Sequence, residues 1–261
     1  MPKTAQVVLP ENDDLNQMIF DFACSANLAE IGGILASHDD NSLVEDSEGN
    51  LISAVAAIAN DSVFLDDLRE EERVFLAEKL IKKIQKSSLS EERHYHLFSG
   101  VINMRGSAGE NSVAVQVVKL LVENGFDAGA VETKSMNGKV FKKDALEVAA
   151  QQSPKFLPGL VRAEEDEGPS ILADRAIVKI LLKSGKVAGF EGASGIAKCD
   201  EIERGVFDFR QLAGREIPER GDFDRIAVPT YFSSMENVAK PSTTVKEPHV
   251  EMGCFSFLRF R

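Results

Sequence analysis

Val117-Val118-Lys119-Leu120-Leu121-Val122-Glu123-Asn124-Gly125 returns at residues 177–185 as Ile177-Val178-Lys179-Ile180-Leu181-Leu182-Lys183-Ser184-Gly185. Each position of the second copy repeats or plausibly replaces the first, and each copy ends an apolar helical run on a glycine. Glycine reaches the left-handed conformation that closes a helix at little steric cost. A repeated helix-plus-glycine unit predicts a stacked array, in which neighbours bury the apolar face that one unit alone leaves open.

Working outward, residues 15–35 read as two short helices in a hairpin, with Leu15, Ile19, Phe22 and Ala23 on one face and Leu28, Ile31, Ile34 and Leu35 after a break at Asn27. A polar stretch, 37–50, ends in the turn sequence Asp46-Ser47-Glu48-Gly49-Asn50. A small-residue helix then starts at Leu51, and Ala56-Ala57 stands where Ala23-Cys24 stood, 33 residues earlier. An acidic stretch, 61–72, precedes a strongly amphipathic helix over 74–84, with Leu76, Leu80, Ile81 and Ile84 at helical spacing. A further helix is predicted over 94–103, followed by a Gly-rich link at 105–109. After residue 150 come a short helix, 154–162, an acidic loop, 164–169, and a strong helix over 171–184 with Gly185 as its C-cap.

A 33-residue period of a turn and two antiparallel helices resembles the ankyrin repeat. The resemblance is carried by Phe20-Asp21-Phe22-Ala23-Cys24 with Asn27-Leu28-Ala29-Glu30-Ile31, by Glu123-Asn124-Gly125-Phe126-Asp127, which is close to the family's E-N-G-A-D, and by Asp144-Ala145-Leu146-Glu147-Val148-Ala149-Ala150, standing in for T-P-L-H-L-A-A. No copy keeps T-P-L-H intact, and the finger between Asp127 and Asp144 is about six residues longer than the family pattern needs. The expected fold is all-α: a helical-hairpin repeat solenoid of ankyrin type with four to five degenerate repeats over 15–185. An N-terminal extension, 1–14, precedes it; a C-terminal cap, 186–237, and a tail, 238–261, follow. Whether 171–184 belongs to a fourth or a fifth unit stays open. In the cap, helical periodicity fades among glycines and isolated aromatics.

Composition excludes several classes of function. A net charge of -12 over 261 residues argues against nucleic acid as a partner. No apolar run approaches the length that spans a bilayer, and the first residues carry no conventional secretory signal, which predicts a cytoplasmic protein. Cys24, Cys199 and Cys254 are few, odd in number and scattered, so free thiols are expected, with Cys24 buried at the small-residue position. No cofactor or metal is expected. His94 and His96 flank Tyr95 without a third ligand at a convincing spacing. The glycines at 189, 192 and 195 lack the Lys-Ser/Thr of a P-loop and read as an ordinary loop, and the acidic run 164–167 lacks the spaced oxygens of a calcium loop. The aromatic and basic segment 254–261 has three open readings: docking back on the fold, binding a partner or membrane surface, or serving as an export signal.

The resemblance implies a non-enzymatic protein-interaction module, an adaptor or effector, that binds through its fingers and concave face. It is also similar to ankyrin-containing effectors that intracellular bacteria deliver into host cells without a signal peptide. Finger candidates are Glu45, Ser47, Glu48 and Asn50, with Lys134, Asn137, Lys139, Lys142 and Lys143 in the enlarged finger. Concave-face candidates are Ser25 and Ala26, Ile58 and Ala59, and Gln151 and Gln152. The enlarged finger is a basic patch on an acidic protein, suited to an acidic partner surface. Two alternatives stand beside this reading: a generic α-helical repeat scaffold, and an enzyme with its site in 186–237, using Asp200, Glu201, Glu203, Asp222 and Asp224.

Overall fold

The computed structural model describes residues 12–60, 70–104, 109–136, 139–151, 169–207, 209 and 212. The expected helix at 154–162, the acidic loop up to residue 168, most of the expected cap and the whole segment 254–261 lie outside the described residues. What is described is mostly helical, in keeping with the all-α expectation.

The first helix, α1 (Asn12–Cys24), begins inside the expected N-terminal extension. It buries Leu15, Ile19, Phe20 and Ala23, spaced to fall on one side. Its end is closed by Ala26 at φ 58°: the Asn27 N–H bonds Phe22 O at 2.9 Å and the Ala26 N–H bonds Ala23 O at 3.3 Å. Helix α2 (Leu28–Ala36) follows at once and buries Leu28, Ile31 and Leu35. The next loop is pinned by Asn16, 1% exposed, whose Nδ2 donates to Val44 O at 2.8 Å.

Helix α3 (Asn50–Ala59) is apolar nearly all round and is correspondingly central, with Leu51, Ile52, Ala54, Val55, Ala56, Ile58 and Ala59 all buried. Its opposite number, α4 (Glu70–Lys83), keeps acidic residues in its first turn and lysines in its last, which suits the helix dipole. Arg73, buried on α4, donates through Nε to Ile58 O at 3.0 Å and so closes a carbonyl at the end of α3. Helices α5 (Glu91–Asn103) and α6 (Val113–Glu123) are N-capped by Ser90 and Ser112, whose hydroxyls accept from the N–H three residues on. The strands β1 (Val131–Met136) and β2 (Lys139–Asp144) form an antiparallel hairpin. After it come α7 (Ala145–Gln151), α8 (Pro169–Lys183) and α9 (Ala193–Glu203).

The packing alternates. α1 lies on α3, α3 on α5 and α5 on α7, while α2 lies on α4, α4 on α6 and α6 on α8. Each member of the first row also meets its sequence successor, α1 with α2, α3 with α4, α5 with α6 and α7 with α8. The apolar core runs continuously between the two rows from Leu15 to Leu212. Small residues set the spacing: a Cβ on Gly100 of α5 would stand 3.3 Å from the Ala56 Cβ of α3. The two halves of the repeated nonapeptide therefore sit on α6 and α8, neighbours in one row, with Val117, Val118, Leu121, Ile177, Val178, Leu181 and Leu182 all buried.

Two expectations need correction. Helical structure does not fade after Gly185, because α9 packs on α8 and buries Gly195, Cys199 and Ile202. Gly195 is there for contact, since a Cβ would lie 2.6 Å from Phe190 O and 2.8 Å from Leu182 O. The long finger, counted within an all-α array, holds a regular two-stranded ladder.

Candidate protein-interaction hairpin

The β1–β2 hairpin stands at the junction between α6 and α7, and both of its roots are fixed. On the α6 side, Gly125 at φ 80° lets the Phe126 N–H reach Leu121 O at 3.1 Å while its own N–H reaches Val122 O at 3.0 Å. This paired closure carries Phe126 into the core, fully buried. Lys86 spans the same corner, donating to Asn124 O at 2.6 Å with its ammonium 5.8 Å from the Phe126 ring centre. The Asp127 N–H donates to His94 Nδ1 at 3.3 Å, and Asp127 Oδ1 accepts from the Gly129 N–H at 3.0 Å. On the α7 side, Asp144 and Glu147 cap reciprocally: the Glu147 N–H donates to Asp144 Oδ1 at 2.9 Å and the Asp144 N–H donates to Glu147 Oε2 at 3.3 Å. Between the roots, Glu132 on β1 accepts from the Tyr95 hydroxyl of α5, and burial together with that carboxylate pushes the phenol pKa up.

The register pairs Glu132 with Lys143, Thr133 with Lys142, Lys134 with Phe141, Ser135 with Val140 and Met136 with Lys139. Thr133, Ser135, Val140 and Lys142 are exposed, Val140 at 64%, and Lys143 is half-buried. Lys134 and Lys139 are placed by their backbone, with their side chains outside the description, and Asn137 lies outside the described residues. The two strands hold four lysines against Glu132 and Asp144, a local positive excess on a chain of net charge -12. A ribbon anchored at both ends, with Lys142 exposed, can make electrostatic contacts.

The other candidates are placed differently. Ser25 and Ala26 lie in the turn that closes α1, not on a helix face, and the Ser25 hydroxyl donates back to Asp21 O at 2.8 Å. Ile58 and Ala59 are buried in α3, so neither presents a surface. Glu45 and Asn50 work inside the fold. Asp46 Oδ1 accepts from the N–H groups of Gly49 and Asn50, Asn50 Nδ2 donates to Asp46 Oδ2 at 2.9 Å, and the Glu45 carboxylate accepts from the N–H groups of Leu51 and Ile52. Together they close the N-terminus of α3. Burial, with help from neighbouring Asp46, pushes the Glu45 pKa up to about 7 against the bonds from Ile52 and Leu51 that favour its charge. Ser47 and Glu48 stay exposed at the tip of that loop, where Ser47 O accepts from Arg93. Gln151 ends α7, with its side chain outside the description, and Gln152 lies outside the described residues.

Among residues weighed for chemistry, His94 and His96 are both half-buried and diverge, one toward Asp127 and Phe126, the other toward Glu92 at 3.4 Å. Burial lowers both pKa values. Cys24 is half-buried, not buried as expected; Cys199 is buried, its thiol directed at Lys179 O at 3.6 Å and its pKa raised by burial. Asp200, Glu201 and Glu203 lie along α9, and Asp222 and Asp224 lie outside the described residues. Among the described residues, no group of three His, Cys, Asp or Glu side chains is arranged to hold a metal ion, and no helix is long and apolar enough to cross a membrane.

No family model matches this chain, and no curated protein or solved structure compared with it shows significant similarity. The ladder itself was announced in the sequence by Asn137-Gly138 between Thr, Val and Phe positions, a hairpin signal that a helix-repeat reading passes over.

Proposed function

We propose that the chain is a non-enzymatic protein-interaction module of ankyrin-repeat type, an adaptor or effector, that engages an acidic partner surface through the β1–β2 hairpin. The observation that carries this reading is the alternating packing of the helices into two rows with a β-hairpin at the α6–α7 junction. Ankyrin arrays stack helix pairs in this way and place their fingers between one pair and the next. The charge of the hairpin supplies the partner's chemistry: lysines on an otherwise acidic molecule steer and hold carboxylate-rich surfaces. The closed roots support it too, because a contact surface held at both ends loses less freedom on binding.

A pull-down with the wild-type chain against Lys139→Glu/Lys142→Glu tests it. The double variant is expected to lose partners that the wild type retains, with an unchanged helical signal in circular dichroism. An identical retained set would remove the hairpin as the site.

A further inference from the structure

The hairpin offers more than lysine side chains. In an antiparallel pair, residues alternate between those bonded to each other and those whose N–H and C=O point away from the pair. Met136 opposes Lys139 with two residues between them, and in so short a connection the flanking pair is the bonded one. Counting back, Lys134 with Phe141 and Glu132 with Lys143 are bonded pairs, and the backbone groups of Thr133, Ser135, Val140 and Lys142 point outward. The Asp144 N–H, next in that outward series, confirms the parity by donating to the Glu147 carboxylate instead of to β1. Thr133, Ser135, Val140 and Lys142 are all exposed, and among the described residues their backbone makes no hydrogen bond outside the ladder. Among the described residues the sheet has two strands, and none of those residues pairs with the outer edge of either.

Resting on the function proposed above, we infer that the outer edge of β2 is a strand-addition site that accepts an extended, carboxylate-bearing segment of a partner protein. The two edges are not equivalent. β1 packs against α5 through Glu132 and Tyr95, whereas β2 touches α7, the helix into which it runs. β2 also carries Lys139, Lys142 and Lys143, three of the hairpin's four lysines. Glu147 closes the edge at Asp144, leaving the N–H and C=O of Val140 and of Lys142 as the groups a new strand would meet. Strand addition takes its affinity from such main-chain bonds and its specificity from alternate side chains. Here those are lysine at 142, and Val140, exposed at 64%, which matches a β-branched neighbour. A second copy of the chain is a poor occupant, because pairing two β2 edges sets lysines beside lysines.

The test uses the full chain and a fluorescein-labelled hexapeptide that alternates glutamate with valine and threonine. Two further probes are the same hexapeptide N-methylated on one or the other alternate set of backbone nitrogens. Anisotropy is expected to show saturable binding of the parent and a loss of at least about tenfold for one methylated peptide only, since a single set faces the edge. Val140→Pro removes an outward N–H without touching a ladder bond, and is expected to lose binding by a similar factor with an unchanged thermal midpoint. Because the methylated probes leave the protein unaltered, the answer does not depend on how that variant folds. If both methylated peptides bind like the parent, or if the acidic peptide does not bind at all, strand addition is wrong. Should Lys139→Glu/Lys142→Glu abolish binding of all three peptides alike while N-methylation does nothing, the interaction role stands and the edge does not. A concentration-dependent dimer in sedimentation that Val140→Pro abolishes would make another copy the occupant and overturn the inference as well.

Discussion

A Cβ placed on Gly129 would stand 1.9 Å from the carbonyl oxygen of Lys186. Backbone, not a yielding side chain, fills that space, so the loop after α6 and the loop after α8 are in direct contact. Gly129→Ala has to push them apart. Overpacking of this kind costs roughly 1–3 kcal/mol, and a loss in that range is expected in urea unfolding. An unchanged midpoint would show that the two loops separate freely.

Two helical glycines should behave oppositely. Gly100 meets Ala56 at 3.3 Å across the α3–α5 contact, so Gly100→Leu is expected to destabilise by about 1–3 kcal/mol. Gly33, on the exposed side of α2, has nothing within 4 Å of a built Cβ. There, Gly33→Ala gains helix propensity and is expected to stabilise by up to about 1 kcal/mol. Denaturation of the two variants side by side checks the pair, and equal signs would contradict the packing described.

Ala26 closes α1 in the left-handed conformation, φ 58°, where glycine serves at Gly125 and Gly205. An L-residue there carries about 1–2 kcal/mol of strain, part of which glycine's larger unfolded-state entropy cancels. Ala26→Gly is therefore expected to raise stability by about 0.5–1 kcal/mol, read as a higher thermal midpoint. A fall would mean that the turn is not strained.

Glu45 holds its proton more tightly when folded, with a pKa of about 7 against the ordinary 4.5 of a glutamate. The folded chain then binds more protons than the unfolded chain between those values, so this group's stabilising contribution is complete below about pH 4.5 and is lost as pH rises through 7. Glu45→Gln removes that dependence. The stability of the variant relative to wild type should climb between pH 5 and pH 8, and a difference that stays flat with pH would rule the effect out.

The sequence showed most where one residue type had one physical use. The breaks at Asn27, Gly125 and Gly185 coincide with helix ends because a residue in the left-handed region closes each one, Ala26 at the first and the two glycines themselves. α9 was hidden because its buried face is thin, Gly195, Cys199 and Ile202, and its glycine serves close packing where a loop was expected. Glu45 and Asn50 looked like finger residues because a polar turn reads the same whether its carboxylates face solvent or the N–H groups of the next helix. The basic hairpin was located by its charge and by its extra length against the ankyrin pattern; its ladder needed a period of two, seen against a background set to 3.6. That Lys142 stands opposite Thr133 and Lys143 opposite Glu132 follows from register, which charge counting does not contain.

The two rows have one more consequence, for how contact relates to distance along the chain. Each helix takes its position from its partners within its own layer and the next, and α7 packs on α8 although residues 152–168 intervene in the sequence. The same holds across residues 61–69, which separate α3 from α4. The neighbours of each helix are therefore set by its place in the rows and not by how much chain lies between it and the next helix.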